Sequence, residues 1–385
     1  MLAYKSLRGT AASDHLDFVR GTAALAVLCG HLRSHFIVSY SDIVGKPNPL
    51  VKFLFLVTGF PHYAVMMFFV LSGFLVGGTV LRGRMDGKFS WSPYAVNRLT
   101  RLWVVLIPAL LLGAFWDHLG IHLFGTSGIY GGLPKTNAAM VPIPPRLSAG
   151  AMLGNAFFLQ GILAPTFGSN GPLWSLSYEF WYYVLFPLIV LAFPLGRAGW
   201  SNVLYAIASF IVLFFIGQSI SIYFLIWLLG AAINFAPERS GRSGELWIAA
   251  IFGALMLVLA LFKSQLDPIE HSDFVVGVAS AVLIYVLLQS NAPSTSGIYS
   301  RTARTLAGFS YTLYLVHAPA LNFIGAWLAP GASWQPDAIH IAAVASFGIC
   351  MLAYAFGIAQ LTEYRTSAIR YRVTAALGSI GNRAT

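Results

Sequence analysis

Apolar runs long enough to cross a bilayer recur along almost the whole chain, and that one feature excludes a water-soluble fold. Windows near 17–39, 53–81, 99–119, 172–194, 202–218, 220–236, 246–262, 274–290, 306–328 and 338–361 approach or exceed the roughly 20 residues that cover about 30 Å of hydrocarbon. Composition agrees, because the 385 residues are 57% hydrophobic and 9% charged, with a mean hydropathy of +0.73; soluble domains are about a quarter charged. The expected fold is all-α, a polytopic transmembrane helical bundle of about ten spans. It forms one integral membrane domain over 1–385, with spans from about 17 to 361 and a cytoplasmic basic tail at 362–385. The first span reads as uncleaved, since Asp14, Asp17 and Arg20 precede its apolar run and no small-residue cleavage site follows.

Between the third and fourth windows lies a Gly/Pro-rich stretch, 120–150, followed by a short apolar segment at 151–163. Thirteen residues are too few to cross, so this segment is expected to re-enter or to lie along the outer surface. Charge tests the count. With the N-terminus cytoplasmic, the inside loops hold Lys5, Arg8, Arg82, Arg84, Lys88, Arg98, Arg101, Arg197, Arg239, Arg242, Arg301, Arg304, Arg365, Arg370, Arg372 and Arg383. The outside loops hold Lys46, Lys52, Lys135, Arg146 and Lys263, sixteen against five. That pattern places both termini inside and explains the formal charge of +10 by topology rather than by nucleic acid. The breakers Gly217, Gln218 and Ser219 leave open whether 202–236 is two spans or one long kinked helix. Gly73 and Gly77 have the small-xxx-small spacing of a close helix crossing. Cys29 and Cys350 both lie in apolar segments and support neither a disulfide framework nor a thiolate metal site.

Ionisable groups inside a span cost on the order of 3 kcal/mol each and are function candidates. Arg20 and His31 are eleven residues apart, which returns them to nearly one azimuth about 16 Å apart along a helix. Arg20 at the cytoplasmic mouth suits an anionic ligand. His31, deeper, titrates near neutrality and suits general-base work on a hydroxyl, against the plainer reading of a neutral histidine in helix packing. His35 lies one turn beyond. Arg98 and Arg101 share a face at i, i+3, where guanidinium forks suit phosphate oxygens. Glu179, inside the fourth span, needs a partner: it orients His31, pairs with an arginine, or binds acceptor hydroxyls. Trp174, Trp181, Tyr182 and Tyr183 suit either sugar stacking or an interfacial aromatic belt. Ser72 as a nucleophile lacks a triad, and its glycine neighbour points to packing. His317 is either a second acid/base group or a contact to backbone freed by Pro319. His31 and His35 lack a third ligand, so no metal is expected.

These segments resemble acyltransferase family 3. Leu16-Asp17-Phe18-Val19-Arg20-Gly21 with Gly30-His31 is similar to the family's first span, where a basic residue and a histidine are separated by ten residues. Phe68 to Leu75 resembles its Phe-Phe-x-x-Ser-Gly-Phe/Tyr-Leu segment, and Asn97 to Arg101 its Arg-x-x-Arg element. Trp174-Ser175-Leu176-Ser177-Tyr178-Glu179-Phe180-Trp181-Tyr182-Tyr183 resembles its Trp-Ser-Leu-x-x-Glu-x-x-Phe/Tyr-Tyr segment, and Tyr311 to Pro319 and Glu363 its later landmarks. Tyr364-Arg365 departs from the basic residue and proline common after that glutamate. The resemblance implies an inner-membrane enzyme that moves an acyl group, usually acetyl, from cytoplasmic acyl-coenzyme A to a hydroxyl of a carbohydrate, a lipid-linked glycan or another envelope acceptor. It implies no permanently bound cofactor. Some relatives carry an extracytoplasmic esterase-like domain that is not expected here, which leaves final transfer either to a partner protein or to this chain.

On that reading His31 is the base, set by Glu179 or Asp17. Arg20, Arg98 and Arg101 hold donor phosphates, and Trp174, Tyr182 and His317 meet substrate. The rival reading is a proton-coupled exporter or flippase with an Arg20, His31 and Glu179 relay.

Overall fold

Helix follows helix along the chain in the order that the apolar windows predict. The computed structural model describes residues 6–7, 9–132, 142–238, 243–266, 272–329 and 333–381, and for 243, 244, 246, 263–266 and 378–381 it describes the backbone alone. From the charge tally, Lys5, Arg8, Lys135, Arg239, Arg242 and Arg383 lie outside the described residues, as does the side chain of Lys263. The helices are α1 (Ala11–Phe36), α2 (Pro49–Val57), α3 (Pro61–Met85), α4 (Trp91–Phe124), α5 (Ala149–Ala156), α6 (Trp174–Ala192), α7 (Trp200–Ile233), α8 (Ser243–Leu266), α9 (Ser272–Leu287), α10 (Ile298–Leu328), α11 (Ala338–Leu361) and α12 (Thr366–Gly381). Among the described residues the stretches Pro49–Met85, Trp91–Phe124, Gly171–Ala192, Trp200–Ile233 and Ala338–Leu377 are long and apolar enough to cross a membrane.

Local chemistry sets several of these boundaries. Asn48 caps α2 by accepting from Val51 N at 2.9 Å, and Pro49 fills the first position, where no amide is needed. Ser148 caps α5 and Asp337 caps α11 in the same way. The window at 53–81 is interrupted at 58–60 and resumes at Pro61. Of the stretch 202–236, all but the last three residues lie in α7, a 34-residue helix that ends at Ile233 and carries one non-helical residue, Gly217, with φ 76° and ψ 176°. Only glycine adopts that conformation readily, so the chain turns there rather than running straight for about 50 Å.

The chain divides into two compact units. The first comprises Met1–Ala23, His62–Ser90 and Tyr178–Ala307. Its centre is a close crossing of α3 on the second half of α7. A Cβ on Gly73 would lie 2.0 Å from Trp227 O, and one on Gly230 would lie 1.9 Å from Val70 O. Gly77 meets Ala231 at 3.0 Å by the same measure, so the expected small-xxx-small stripe is the contact surface. Asn234 Nδ2 donates to Phe74 O across the crossing at 3.0 Å.

The second unit comprises Ala24–Pro61, Trp91–Ser177 and Gly308–Thr385. Here α5, with eight residues, spans about 12 Å and cannot cross. Buried Asn155 folds the chain back after it: its Nδ2 donates to Ala151 O and Pro165 O at 2.8 Å each, and its Oδ1 accepts from Phe167 N at 3.1 Å. The basic tail is itself helical: α12 docks on α4, where Arg370 Nη1 donates to Asn97 Oδ1 at 2.5 Å. Cys29 and Cys350 are free thiols.

Candidate active site

In the second unit His31 projects from α1 to His317 on α10, with His31 Nδ1 3.0 Å from His317 Nε2 and the ring centroids 5.0 Å apart. His317 is 1% exposed. Its Nδ1 donates to Leu313 O, one turn back on α10, at 3.0 Å. Gly30 is what lets α1 come close to the start of α3 here, since a Cβ there would lie 2.7 Å from the ring of Pro61.

A second polar chain supports this pair. His35 Nδ1 lies 2.8 Å from His31 O, and its Nε2 lies 2.9 Å from Asn322 Oδ1 on α10. Asn322 Nδ2 donates to Ser169 O at 3.3 Å. Ser169 in turn donates through N and Oγ to the fully buried Asp117 of α4 at 2.8 and 2.6 Å. The next residue, Asn170, donates from Nδ2 to Leu315 O at 2.7 Å. That carbonyl is the one that Pro319 leaves without a helical partner, four residues on, because proline has no N–H. The contact to proline-freed backbone that the sequence offered His317 therefore belongs to Asn170. Tyr314 completes the link, its hydroxyl 3.0 Å from Pro172 O and 2.8 Å from Ser175 Oγ. The loop that precedes Trp174 is thus fastened to the turn of α10 that bears His317. Trp174 itself is half-buried at the start of α6.

On α4, Arg101 Nη2 donates to Glu363 Oε1 at 2.9 Å, and its guanidinium lies 5.3 Å from the ring centre of Tyr311. Glu363 Oε2 accepts from Thr312 N and Oγ1, each at 2.9 Å. Arg98 lies one turn before Arg101, its guanidinium 5.9 Å from the ring centre of Tyr94. Both arginines are half-buried.

In the first unit Arg20 Nη2 donates to Asp17 Oδ1 at 3.1 Å. Fourteen residues, nearly four turns of α1, separate Asp17 from His31, so this carboxylate serves Arg20 and not the imidazole. Glu179 has a partner outside the three that its sequence position suggested: Tyr183 donates to its Oε1. Ser72 Oγ donates to Tyr183 Oη at 3.2 Å and accepts from Trp227 Nε1 at 3.2 Å. The donors run in one direction, Trp227 to Ser72 to Tyr183 to Glu179, and Ser72 is a link in that chain. Tyr182 is fully buried and donates to Ile220 O at 2.8 Å, so it braces α7 near Gly217 rather than offering a face to a sugar. Among the described residues no group of three His, Cys, Asp or Glu is placed to hold a metal ion.

Asn170, Asn322, Ser169 and Asp117 were not picked out from sequence. Pro319 was the signal for the first, since it announces an orphan carbonyl that some buried amide must satisfy.

Comparison with known proteins gives the same direction. The acyltransferase 3 family model, described as an acyltransferase domain, matches residues 14–355. A protein of Streptomyces mycarofaciens named acyltransferase MdmB is 24% identical over 368 residues, covering 88% of this chain and 87% of the relative. An uncharacterised protein of Haemophilus influenzae is 31% identical over 273 residues, covering 67% of this chain and 99% of that protein. No solved structure matches. Apolar helices of membrane-crossing length and a family match over most of the sequence lead to one conclusion: this chain belongs to the acyltransferase 3 family and is a multi-pass membrane acyltransferase.

Proposed function

We propose that the enzyme resides in the cytoplasmic membrane with both termini inside and moves an acyl group, acetyl first among them, from cytoplasmic acyl-coenzyme A to a hydroxyl of a carbohydrate or other envelope acceptor. The observation that carries this reading is the 3.0 Å contact between His31 and His317, an imidazole oriented by a third group as a general base requires. His31 takes the acceptor's proton while the hydroxyl oxygen attacks the thioester carbon. The carbon–sulfur bond then breaks, and His31 returns the proton to the departing thiolate, giving an O-acyl ester and free coenzyme A. General-base help of this kind contributes about 10²–10⁴ in rate.

Arg20, Arg98 and Arg101 hold the donor's phosphates. Asp17 supports this by orienting Arg20, and Glu363 orients Arg101, which matches the ion pairs at 3.1 and 2.9 Å. Glu179, whose Oε1 is engaged by Tyr183, meets acceptor hydroxyls, and Trp174 offers the acceptor an apolar face. Delivery beyond the membrane is either completed here or passed to a partner protein.

The test is the purified protein in lipid nanodiscs with acetyl-coenzyme A and a panel of simple glycosides and lipid-linked glycans, without any ion gradient. Acceptor-dependent release of free thiol with formation of an O-acetyl ester is the expected outcome. Turnover that appears only when a proton gradient is imposed contradicts it and favours the exporter reading.

A further inference from the structure

The two imidazoles of the second unit fix each other's protons. A carbonyl oxygen only accepts, and Leu313 O lies 3.0 Å from His317 Nδ1, so that nitrogen carries hydrogen. In a neutral ring the other nitrogen is then a lone pair, and His317 Nε2 must accept. The atom 3.0 Å from it is His31 Nδ1, which therefore donates. The lone pair of His31 is left on Nε2.

We propose that His317 is a positioning residue that holds His31 as its Nδ1–H tautomer and so makes His31 Nε2 the atom that takes the acceptor's proton. This rests on the reading of His31 as general base. As the acceptor O–H bond breaks and an Nε2–H bond forms, His31 becomes an imidazolium, and its Nδ1–H bond to His317 gains charge assistance just when the cation needs it. When Nε2–H passes to the thiolate of coenzyme A, both rings are neutral again. A reversed orientation, with His317 donating from Nε2, would put the hydrogen of His31 on Nε2 and remove the base.

The rest of the second unit keeps the donor direction fixed. His317 has no freedom to turn, being 1% exposed and bonded to its own helix. Asn170 satisfies the carbonyl of Leu315, which Pro319 frees four residues before that proline, so α10 is held from the side on the turn that bears His317. On α1 the carbonyl of His31 is taken by His35 Nδ1 at 2.8 Å, and Gly30 is seated on Pro61.

Two variants and one spectrum test this. His317→Leu removes the acceptor, whereas His317→Gln can return an amide oxygen to His31 Nδ1–H. His317→Leu should lower kcat by about 10²–10⁴-fold, the scale of a lost or misoriented base, with donor KM changed less than about threefold. His317→Gln should recover at least tenfold of that loss. In the nanodisc-held protein labelled with ¹⁵N-histidine, His31 should show a protonated Nδ1 and an unprotonated Nε2, and His317→Leu should shift the population toward Nε2–H. An Nε2–H signal for His31 in the unmodified protein overturns the tautomer assignment whatever the activity. Equal kcat for His317→Leu overturns the positioning role. Full transfer by His31→Ala overturns the base reading itself, and the Nδ1–H signal then separates that failure from a wrong hydrogen-bond assignment.

Discussion

His317 presents Nε2 at 3.0 Å from Nδ1 of His31, although 286 positions separate them in sequence. A contact of that length between two buried-facing rings fixes α10 against α1 at one rotation, and the neighbouring residues can be judged by whether they hold that rotation.

Asn170 and Pro319 should be energetically coupled. Asn170→Ala leaves Leu315 O buried without its donor, at a cost of about 1–3 kcal/mol. Pro319→Ala restores the helical N–H that serves the same carbonyl. Thermal unfolding in detergent should show Asn170→Ala lowering Tm, and the double variant Asn170→Ala with Pro319→Ala regaining a large share, with a coupling of about 1 kcal/mol or more. Additive losses would break the link between the two residues.

The α3 and α7 crossing should tolerate no side chain at its glycines. Gly73→Ala and Gly230→Ala each drive a methyl against a backbone oxygen at about 2 Å, and overpacking of this kind costs about 1–3 kcal/mol. Gly150→Ala, with nothing within 4 Å of its Cβ, serves as the control. Folded yield and Tm should fall for the first two and stay level for the third.

Arg98 and Arg101 should separate by their readouts. Arg98→Gln should raise donor KM roughly tenfold or more through a lost charge-assisted bond. Arg101→Gln should raise KM similarly and also lower stability by about 1–3 kcal/mol, since Glu363, whose side chain is 4% exposed, loses its cation. Unchanged KM in both would remove the arginines from donor binding.

Glu179→Gln preserves an oxygen that can accept from Tyr183, so Tm should move little. If the carboxylate's charge is what acceptor hydroxyls meet, acyl transfer should nevertheless fall at least tenfold. A variant with full activity would leave Glu179 as a link in the Trp227, Ser72 and Tyr183 chain and nothing more.

The helices were legible because an apolar run needs no knowledge of its neighbours, and Gly73 with Gly77 declared a close crossing by spacing alone. The break at Gly217 was visible as a breaker, but whether it bent one helix or joined two depended on backbone angles. Arg20 and His31 stood out as ionisable groups in apolar surroundings. The partners of those groups did not, because hydrogen bonds such as His31 to His317, Arg101 to Glu363 and Asn170 to Leu315 join segments far apart in sequence. Asp17 pairs with Arg20, three positions away on the same helix, a contact that i, i+3 spacing alone makes available. The burial of Tyr182 and its bond to Ile220 O were not legible, because an aromatic residue beside a motif carries no mark of being fully buried.

The most direct measurement is steady-state acyl transfer by purified His31→Ala in nanodiscs, beside the unmodified protein at equal folded content. A fall in kcat of about 10²–10⁴-fold, with Tm and donor KM nearly unchanged, is the result expected if His31 is the general base. Transfer within about threefold of the unmodified protein would contradict that role.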